Sequence, residues 1–442
     1  MTSIFFDFTL PNAATWFYLS LILCVALFFQ FHRVLSLRNL DLLALFLFAP
    51  GFLVLEESVR WEKLGDGRAP SASRYVGYGL LLGATLYWFV RCLLDLATDR
   101  RPTPMPNLSQ AGLIWFTSAL AVILAGAAFL RPSETERPVG KPPAALNAVQ
   151  DQATAVMAQT GTPAASDPVS ARWWVESTTA LLCHVAVVLG LIFLGWKQFG
   201  SAAVGTACGA LYLLLPYTAF HLVQIHHVWP AAVILWAVFF YRRPTVSGLL
   251  LGLAAGTAFF PVLLLPAWIH FYRRHGLGRF VLGFGGAAAV GMIVTISILA
   301  ATGRFPAGFW SALHLADWQP WRTPTAESIW TGAHWAYRIP VFILYAGYVF
   351  TLVIWPPVKN LGHLIAMSAG ILLGIQFWFA DRGGLYVLWY QPLLILMVMR
   401  TNLVEHVAVA PGPILRAWPK LGAGAAPERV TTTAAAEKPG TA

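Results

Sequence analysis

Long apolar runs, separated by short polar or basic segments, repeat along almost the whole chain. A helix of about 20 apolar residues crosses the hydrocarbon of a bilayer, and each long run is able to span it. The pattern predicts an all-α, polytopic integral membrane protein with about 11–13 transmembrane or re-entrant helices. The runs cover residues 13–31, 40–56, 75–97, 111–130, 178–196, 200–218, 226–241, 246–258, 260–272, 280–301, 338–356, 361–380 and 384–400.

The segment between Arg242 and Arg274 has basic pairs at both ends and a long apolar interior. Basic flanks are typical of the cytoplasmic side of a membrane, so both ends are expected on the same side. The interior is interrupted by Gly248, Gly252, Gly256, Pro261 and Pro266. We therefore predict that residues 246–272 form two short broken helices that return to their own side. One long tilted helix is the alternative.

The other basic residues favour a regular alternation of sides. The charge rule predicts these cytoplasmic positions: Arg33, Arg38, Arg100, Arg101, Lys197, Lys359 and Arg400. The outer side would then hold residues 57–74, 131–177, the turn HLVQIHH, residues 303–337, and Asp381 with Arg382. The predicted sides alternate without contradiction only if residues 246–272 turn back to the side from which they start. The predicted location is the inner (cytoplasmic) membrane, with the N-terminus outside and the C-terminus inside.

Four regions follow from this organisation. Residues 1–130 form a predicted N-terminal region of four membrane helices, and residues 131–172 a Pro/Ala-rich extracytoplasmic loop. Within that loop, residues 145–159 are compatible with one amphipathic surface helix. Residues 173–402 are the predicted membrane core with a Trp-rich outer loop at 303–337. Residues 403–442 are predicted to be a disordered cytoplasmic tail.

Composition supports the membrane class and excludes a nucleic-acid partner. The chain is 58% hydrophobic and 11% charged, whereas soluble domains carry about 25% charged residues. The net charge of +10 comes in short clusters beside apolar runs, which indicates orientation signals and attraction to anionic membrane lipid. The cysteines lack metal-ligand spacing and are predicted to be small buried residues: Cys24, Cys92, Cys183 and Cys208.

Polar residues beside membrane helices are costly, so they are candidates for function. Residues 215–230, LPYTAFHLVQIHHVWP, place five hydrogen-bonding side chains at a predicted outer turn: Tyr217, His221, Gln224, His226 and His227. Histidine and glutamine can donate to phosphate or sugar oxygens. The segment has no carboxylate to complete a metal site. The alternative is an interfacial loop whose histidines face water.

The Trp-rich segment 309–338 is the second candidate. It combines Trp318 and other tryptophans with Asp317 and Arg322. Aromatic faces stack on sugar rings and prenyl chains, a carboxylate can act as general base, and arginine suits phosphate. The alternative is an interfacial helix with tryptophan anchors and no chemistry.

The third candidate is the pair Glu56 and Glu57, at the predicted exit of the second helix. These carboxylates are reserve candidates for a catalytic base or for a cation site. The alternative is that they are ordinary surface charges. Arg91 and Asp95 are four residues apart near the inner end of a helix, and we predict that they form a structural pair on one face.

The stretch from Phe199 to Arg274 resembles polytopic glycosyltransferases of the C superfamily, in particular the polyprenol-phosphate-dependent mannosyltransferase branch. The resemblance covers roughly a sixth of the chain and follows a Gly/Pro pattern. The matching positions are Leu215-Pro216, Gln224, Arg242-Arg243, Ser247-Gly248, Gly252-Leu253-Ala254 and Pro261 through Pro266. The chain departs from that family in lacking a lysine before Pro261 and an acidic residue in a comparable first outer loop.

The resemblance implies transfer of a sugar, with mannose as a candidate, from a lipid-linked donor to an acceptor outside the cytoplasmic membrane. In that scheme Asp317 is the base, and Glu56 and Glu57 are reserve carboxylates. Substrate contacts would be His226, His227, Gln224, Tyr217, Arg322 and Trp318. No cofactor is predicted, and a divalent metal stays an alternative. The competing hypothesis is a non-catalytic membrane protein, either transporter- or flippase-like or a structural subunit.

Overall fold

Helices account for nearly all of the regular structure in the computed structural model. It describes residues 13–64, 70–98, 106–130, 144–159, 168–301, 303, 305–306, 318–322, 328–379 and 386–408, all within the unit Met1–Val409. The helices are α1 (Ala13–Phe28), α2 (Leu37–Ala44), α3 (Phe48–Leu64), α4 (Pro70–Ala97), α5 (Gln110–Leu130), α6 (Ala144–Gln159), α7 (Pro168–Gln198), α8 (Ala202–Leu214), α9 (Pro216–Phe220), α10 (Ile225–Phe239), α11 (Pro244–Thr257), α12 (Leu265–Tyr272), α13 (Leu277–Ala301), α14 (Arg338–Ile354), α15 (Leu361–Trp378) and α16 (Val387–Met399).

The predicted fold class is confirmed. Within the described ranges, seven helical segments are long and apolar enough to cross a membrane: Leu37–Ser58, Ala72–Ala97, Gln110–Phe129, Ala171–Gln198, Leu277–Ala301, Trp335–Ile354 and Leu361–Trp378. Six shorter apolar helices accompany them: Ala14–Phe28, Ala202–Leu214, Ile225–Phe239, Pro244–Thr257, Phe260–Tyr272 and Val387–Met399. The protein is therefore an all-α polytopic membrane protein.

The segment 246–272 folds as two short helices, as predicted. Helix α11 ends at Thr257, a 3₁₀ turn follows at Phe260–Leu264, and α12 ends at Tyr272. The Tyr272 hydroxyl donates to the carbonyl oxygen of Tyr241, 2.6 Å away, just before α11 begins. The chain therefore turns back to the end from which it started, which excludes one long tilted helix.

The glycines of this hairpin have a different role from the predicted one. Gly248, Gly252 and Gly256 do not interrupt α11, and that part of the sequence interpretation was wrong. They face α13 so closely that a Cβ on Gly252 would lie 2.3 Å from the carbonyl oxygen of Phe284. Small residues at four-residue spacing allow this close helix contact. The break comes after Thr257, before the proline-containing turn.

The segments that the charge pattern assigns to one side meet at one end of the molecule, here named the basic end: residues 28–41, 91–98, 241–244, 272–276, 359–362 and 400–408. Arg400 pairs with Asp95 at 2.6 Å, and the Leu361 amide donates to the carbonyl oxygen of His406 at 2.7 Å. An isolated antiparallel bridge joins Asn360 and Val407.

The opposite end, named the aromatic end, comprises the described residues of 217–230, 257–260, 318–338 and 377–389. Helix α10 runs from the aromatic end to the basic end, and α15 runs in the opposite direction. The histidine turn and the described part of the Trp-rich loop, both predicted outside, thus lie apart from the segments of the basic end.

The N-terminal helices pack directly onto α9 and α16. The Tyr217 hydroxyl donates to the carbonyl oxygen of Leu45 at 2.8 Å, and the Cys92 sulfur lies 3.7 Å from that of Met397. All four cysteines are buried, as predicted. Residues 145–159 form a helix as predicted, within α6. Arg172 of α7 contacts Asn147 and Asp151 of this helix, and it also pairs with Glu176 of its own helix. The tail from residue 409 onward lies outside the described residues.

The predicted Arg91–Asp95 pair belongs to a larger buried charge network. Arg91 Nε is 2.9 Å from Asp41 Oδ1, and Arg91 Nη2 is 3.5 Å from Asp95 Oδ1. Arg400 completes the group through its contact with Asp95. Within this network two buried positive charges balance two buried negative charges, and they join α2, α4 and the residue after α16.

Candidate functional site

The histidine-rich turn is shaped by Pro216 and by an irregular link before α10. Helix α8 ends at Leu214, and extended Leu215 leads into Pro216, which begins the one-turn helix α9. Proline suits this first position because its missing N–H has no helical acceptor there. Gln224 precedes α10 directly. The side chains at 221–227 therefore lie together at the start of α10.

The polar side chains of this turn are buried rather than solvated: His221, Gln224, His226 and His227. The alternative in which these histidines face water is therefore wrong. The His221 and His227 rings stack with centroids 4.1 Å apart, and His226 lies 4.4 Å from His227. His221 Nδ1 is 2.8 Å from Gln224 Oε1. These buried polar side chains hold one another in place and form a polar patch surrounded by apolar residues.

An aromatic stack continues from the histidines. The His227 ring lies 5.1 Å from Tyr386, and Tyr386 stacks on Trp389 at 4.1 Å. Trp389 stacks in turn on Phe260, at the turn of the α11–α12 hairpin, with 3.7 Å between centroids. The Trp389 indole N–H also donates to the carbonyl oxygen of His226, at 3.2 Å.

Trp318 connects the second predicted candidate with the first. Its ring centroid lies 4.3 Å from Phe379, 5.7 Å from Trp378 and 6.4 Å from Phe260. The Trp-rich loop and the histidine turn are about 90 residues apart in sequence, yet they meet here. The assembled group is named the histidine–aromatic cluster: His221, Gln224, His226, His227, Phe260, Trp318, Phe379, Tyr386 and Trp389.

Tyr217 supports the cluster from α9. Its side chain is buried, and its hydroxyl donates to Leu45, as described above. Its ring packs on Phe52 with 5.7 Å between centroids, and Phe52 lies 6.0 Å from the His221 ring. Tyr217 thus connects α3 with the histidine turn.

The two reserve carboxylates lie on α3 beyond Phe52. Glu56 follows Phe52 by four residues, so it shares that helix face one turn further along, and it is exposed. Glu57 lies 3.6 Å from Arg60 in an ion pair on the surface. Glu56 is therefore the better placed of the two relative to the cluster.

Asp317, the predicted base, lies outside the described residues, and it directly precedes Trp318 in the sequence. Arg322 has an exposed side chain, and its carbonyl oxygen accepts from Arg338 Nη1 at 2.9 Å. Within the described part of the chain, no group of three or more His, Cys, Asp or Glu side chains could hold a metal ion.

The sequence interpretation missed Phe260, Tyr386 and Trp389, which bind the cluster together. A signal for the last two existed in the predicted topology. The start of the final apolar run falls on the same side as the histidine turn and the Trp-rich loop. The chain matches no known protein family, no curated protein and no solved structure.

Proposed function

We propose that the protein is a membrane glycosyltransferase that moves a sugar from a polyprenyl-phosphate donor to an extracytoplasmic acceptor, with inversion and a carboxylate base. Mannose is the first sugar to test. The observation that carries the proposal is the convergence of the histidine turn with Trp318 in one buried histidine–aromatic cluster. Aromatic faces bind sugar rings and prenyl chains, and buried imidazole and amide groups bind hydroxyl and phosphate oxygens.

The reaction needs a base near the acceptor and support for the leaving phosphate. In the proposed step, Asp317 takes the proton of the acceptor hydroxyl. The acceptor oxygen then bonds to the anomeric carbon as the bond from that carbon to the phosphate oxygen breaks. The lipid phosphate leaves with the electron pair. Asp317 adjoins Trp318 in sequence, and Glu56 is the reserve base because it shares a helix face with Phe52.

The experiment that tests this function follows radiolabelled sugar from polyprenyl-phosphate mannose and polyprenyl-phosphate glucose into lipid and polymer fractions. Membranes would carry the wild type, Asp317→Asn, Glu56→Gln or the control Glu405→Gln, which changes an exposed carboxylate at the basic end. Transfer lost only in Asp317→Asn or Glu56→Gln would identify the base. Absence of transfer from both donors by a folded protein would contradict the proposal.

We further propose that the membrane is the cytoplasmic membrane, with the aromatic end outside. The N-terminus would then be outside and the C-terminus inside. The native cysteines are buried, so single cysteines introduced at exposed Ala336 and Asn402 can report the orientation. A membrane-impermeant maleimide should label Ala336→Cys in intact cells and Asn402→Cys only after lysis. The reverse pattern would contradict this orientation.

A non-catalytic membrane protein, transporter- or flippase-like or a structural subunit, is the second candidate. The observation that favours it is the buried network of Asp41, Arg91, Asp95 and Arg400, because charged groups between membrane helices are typical of transport pathways. This candidate would be supported over the transferase if proteoliposomes transported a substrate only with Asp95 intact and if no sugar transfer were found.

A further inference from the structure

Arg338, the first residue of α14, is a buried arginine at the aromatic end, with a side chain only 1% exposed. Its Nε donates to the carbonyl oxygen of Trp378 at 3.0 Å, and its Nη1 donates to the carbonyl oxygen of Arg322 at 2.9 Å. Its Nη2 has no hydrogen-bond partner among the residues that the structure describes. Part of the guanidinium is therefore held rigidly while one nitrogen retains its donors.

The charge of Arg338 also lacks a neutralising carboxylate within the described ranges. Arg91 shows the usual solution, because its buried guanidinium contacts Asp41 and Asp95. Among the described residues, Arg338 donates only to neutral carbonyl oxygens. A buried cation without a counter-charge is strongly unfavourable, and an ionisable side chain buried between membrane helices is a candidate ligand-binding group.

The surroundings indicate which anion. Trp378, whose carbonyl oxygen accepts from Arg338, contacts Trp318 of the histidine–aromatic cluster. A planar guanidinium with free N–H groups matches the oxygens of a phosphate.

We infer that Arg338 binds the phosphate group of the lipid carrier, through Nη2, beside Trp318. The lipid identity rests on the proposed function, whereas the phosphate chemistry rests on Arg338 itself. The inference replaces Arg322, the arginine that the sequence suggested, with a residue whose guanidinium is already oriented by two backbone carbonyls. Arg338 is here a binding residue for the leaving group.

The test measures ligand binding by the full-length purified protein in detergent, by isothermal titration and by thermal shift. The probes are a short-chain polyprenyl phosphate, the matching polyprenol and inorganic phosphate. The wild type should bind the polyprenyl phosphate at least about tenfold more tightly than the polyprenol, which corresponds to about 1.4 kcal/mol. Competition by inorganic phosphate would support the phosphate site. Equal affinity for inorganic phosphate and the lipid would assign the site to soluble phosphate and overturn the lipid assignment.

Variants locate the site. Arg338→Gln should abolish the preference for phosphate, and Arg338→Lys should retain the charge but weaken binding about tenfold, since it loses the planar fork. Arg322→Gln tests the arginine that the sequence suggested. The matched control Arg274→Gln alters an exposed arginine at the basic end and should bind as the wild type does. If Arg338→Gln does not fold, Arg338→Lys carries the comparison. Unchanged binding in the folded Arg338 variants, or loss in Arg322→Gln alone, would overturn the inference.

Glu327 offers a competing explanation, because it is a carboxylate of the same loop and lies outside the described residues. If it neutralised Arg338, Glu327→Gln and Arg338→Gln would destabilise the protein equally and leave phosphate binding intact, which would overturn the inference. Arg338-dependent binding without sugar transfer would instead uphold the site and contradict the proposed transferase. Sugar transfer that persists in Arg338→Lys, with an unchanged affinity for polyprenyl phosphate, would contradict the Arg338 site and uphold the proposed transferase.

Discussion

Trp389 stacks face to face on Phe260, with ring centroids 3.7 Å apart and an angle of 10° between the planes. Phe260 belongs to the turn of the α11–α12 hairpin, and Trp389 lies in the first turn of α16. The hydrogen bond from Trp389 to His226 extends the contact to α10. Three separate segments therefore hold their positions at the aromatic end through one indole ring.

Removal of this ring should destabilise the protein and separate the hairpin from the histidine turn. We expect Trp389→Ala to lower the free energy of unfolding by about 3 kcal/mol, because it leaves a cavity in a packed core. Trp389→Phe retains the stacking and loses the hydrogen bond to His226, which should cost about 1 kcal/mol. Thermal denaturation in detergent measures both. Equal losses in the two variants would show that the stack contributes nothing.

The glycine face of α11 gives a second prediction. Gly252→Ala should destabilise the protein by about 1–3 kcal/mol, because the added methyl group would collide with the backbone of Phe284 on α13. The matched control is Gly285→Ala on α13, where a Cβ has nothing within 4 Å. That control should be neutral or slightly stabilising. A stable Gly252→Ala variant would contradict the close helix contact.

The sequence predicted the hairpin for a reason that differs in part from the observed one. The basic pairs at Arg242 and Arg274 required the chain to return to its own side, and it does return to the same end. The glycines were misinterpreted because a helix-breaking glycine and a packing glycine look alike without the partner helix. Only the position of Phe284 beside Gly252 distinguishes the two roles.

The buried charge network gives a third prediction. Asp41→Asn leaves Arg91 and Arg400 with Asp95 as their only carboxylate in the described network. One excess buried positive charge should lower the free energy of unfolding by about 3–5 kcal/mol. Glu57→Gln, which breaks the exposed pair with Arg60, should cost no more than about 1 kcal/mol. Denaturation of both variants at neutral pH provides the comparison.

Lys359, between α14 and α15, predicts a specific pH dependence. Burial, with a smaller effect of nearby Arg273, lowers the pKa of Lys359 from 10.5 to about 8. Between about pH 8 and pH 10.5 the unfolded chain therefore binds more protons at this residue than the folded chain does. Stability from this group should rise with pH across that window. Relative to Lys359→Met, the wild type should gain stability over the window. A constant difference between the two would refute the lowered pKa.

The candidate site was predictable in its parts but not in its assembly. Local sequence identified Gln224, His226 and His227, and separately Trp318, as residue types suited to sugar and phosphate. Their meeting depends on Phe260 and Trp389, which look like ordinary core aromatics in the sequence. The partners of Arg338 are backbone carbonyl oxygens, which no residue pattern reveals.

The central claim is that the histidine–aromatic cluster binds the lipid-linked donor. Its most direct test is photo-crosslinking of the full-length protein in membranes with a benzophenone-bearing polyprenyl phosphate, followed by peptide mapping. Unlabelled polyprenyl phosphate should suppress the labelling, and polyprenol should not. The labelled peptides should fall within residues 217–230, 318–338 and 377–389. Suppressible labelling confined to the basic end, or labelling that the phosphate lipid fails to suppress, would contradict the claim.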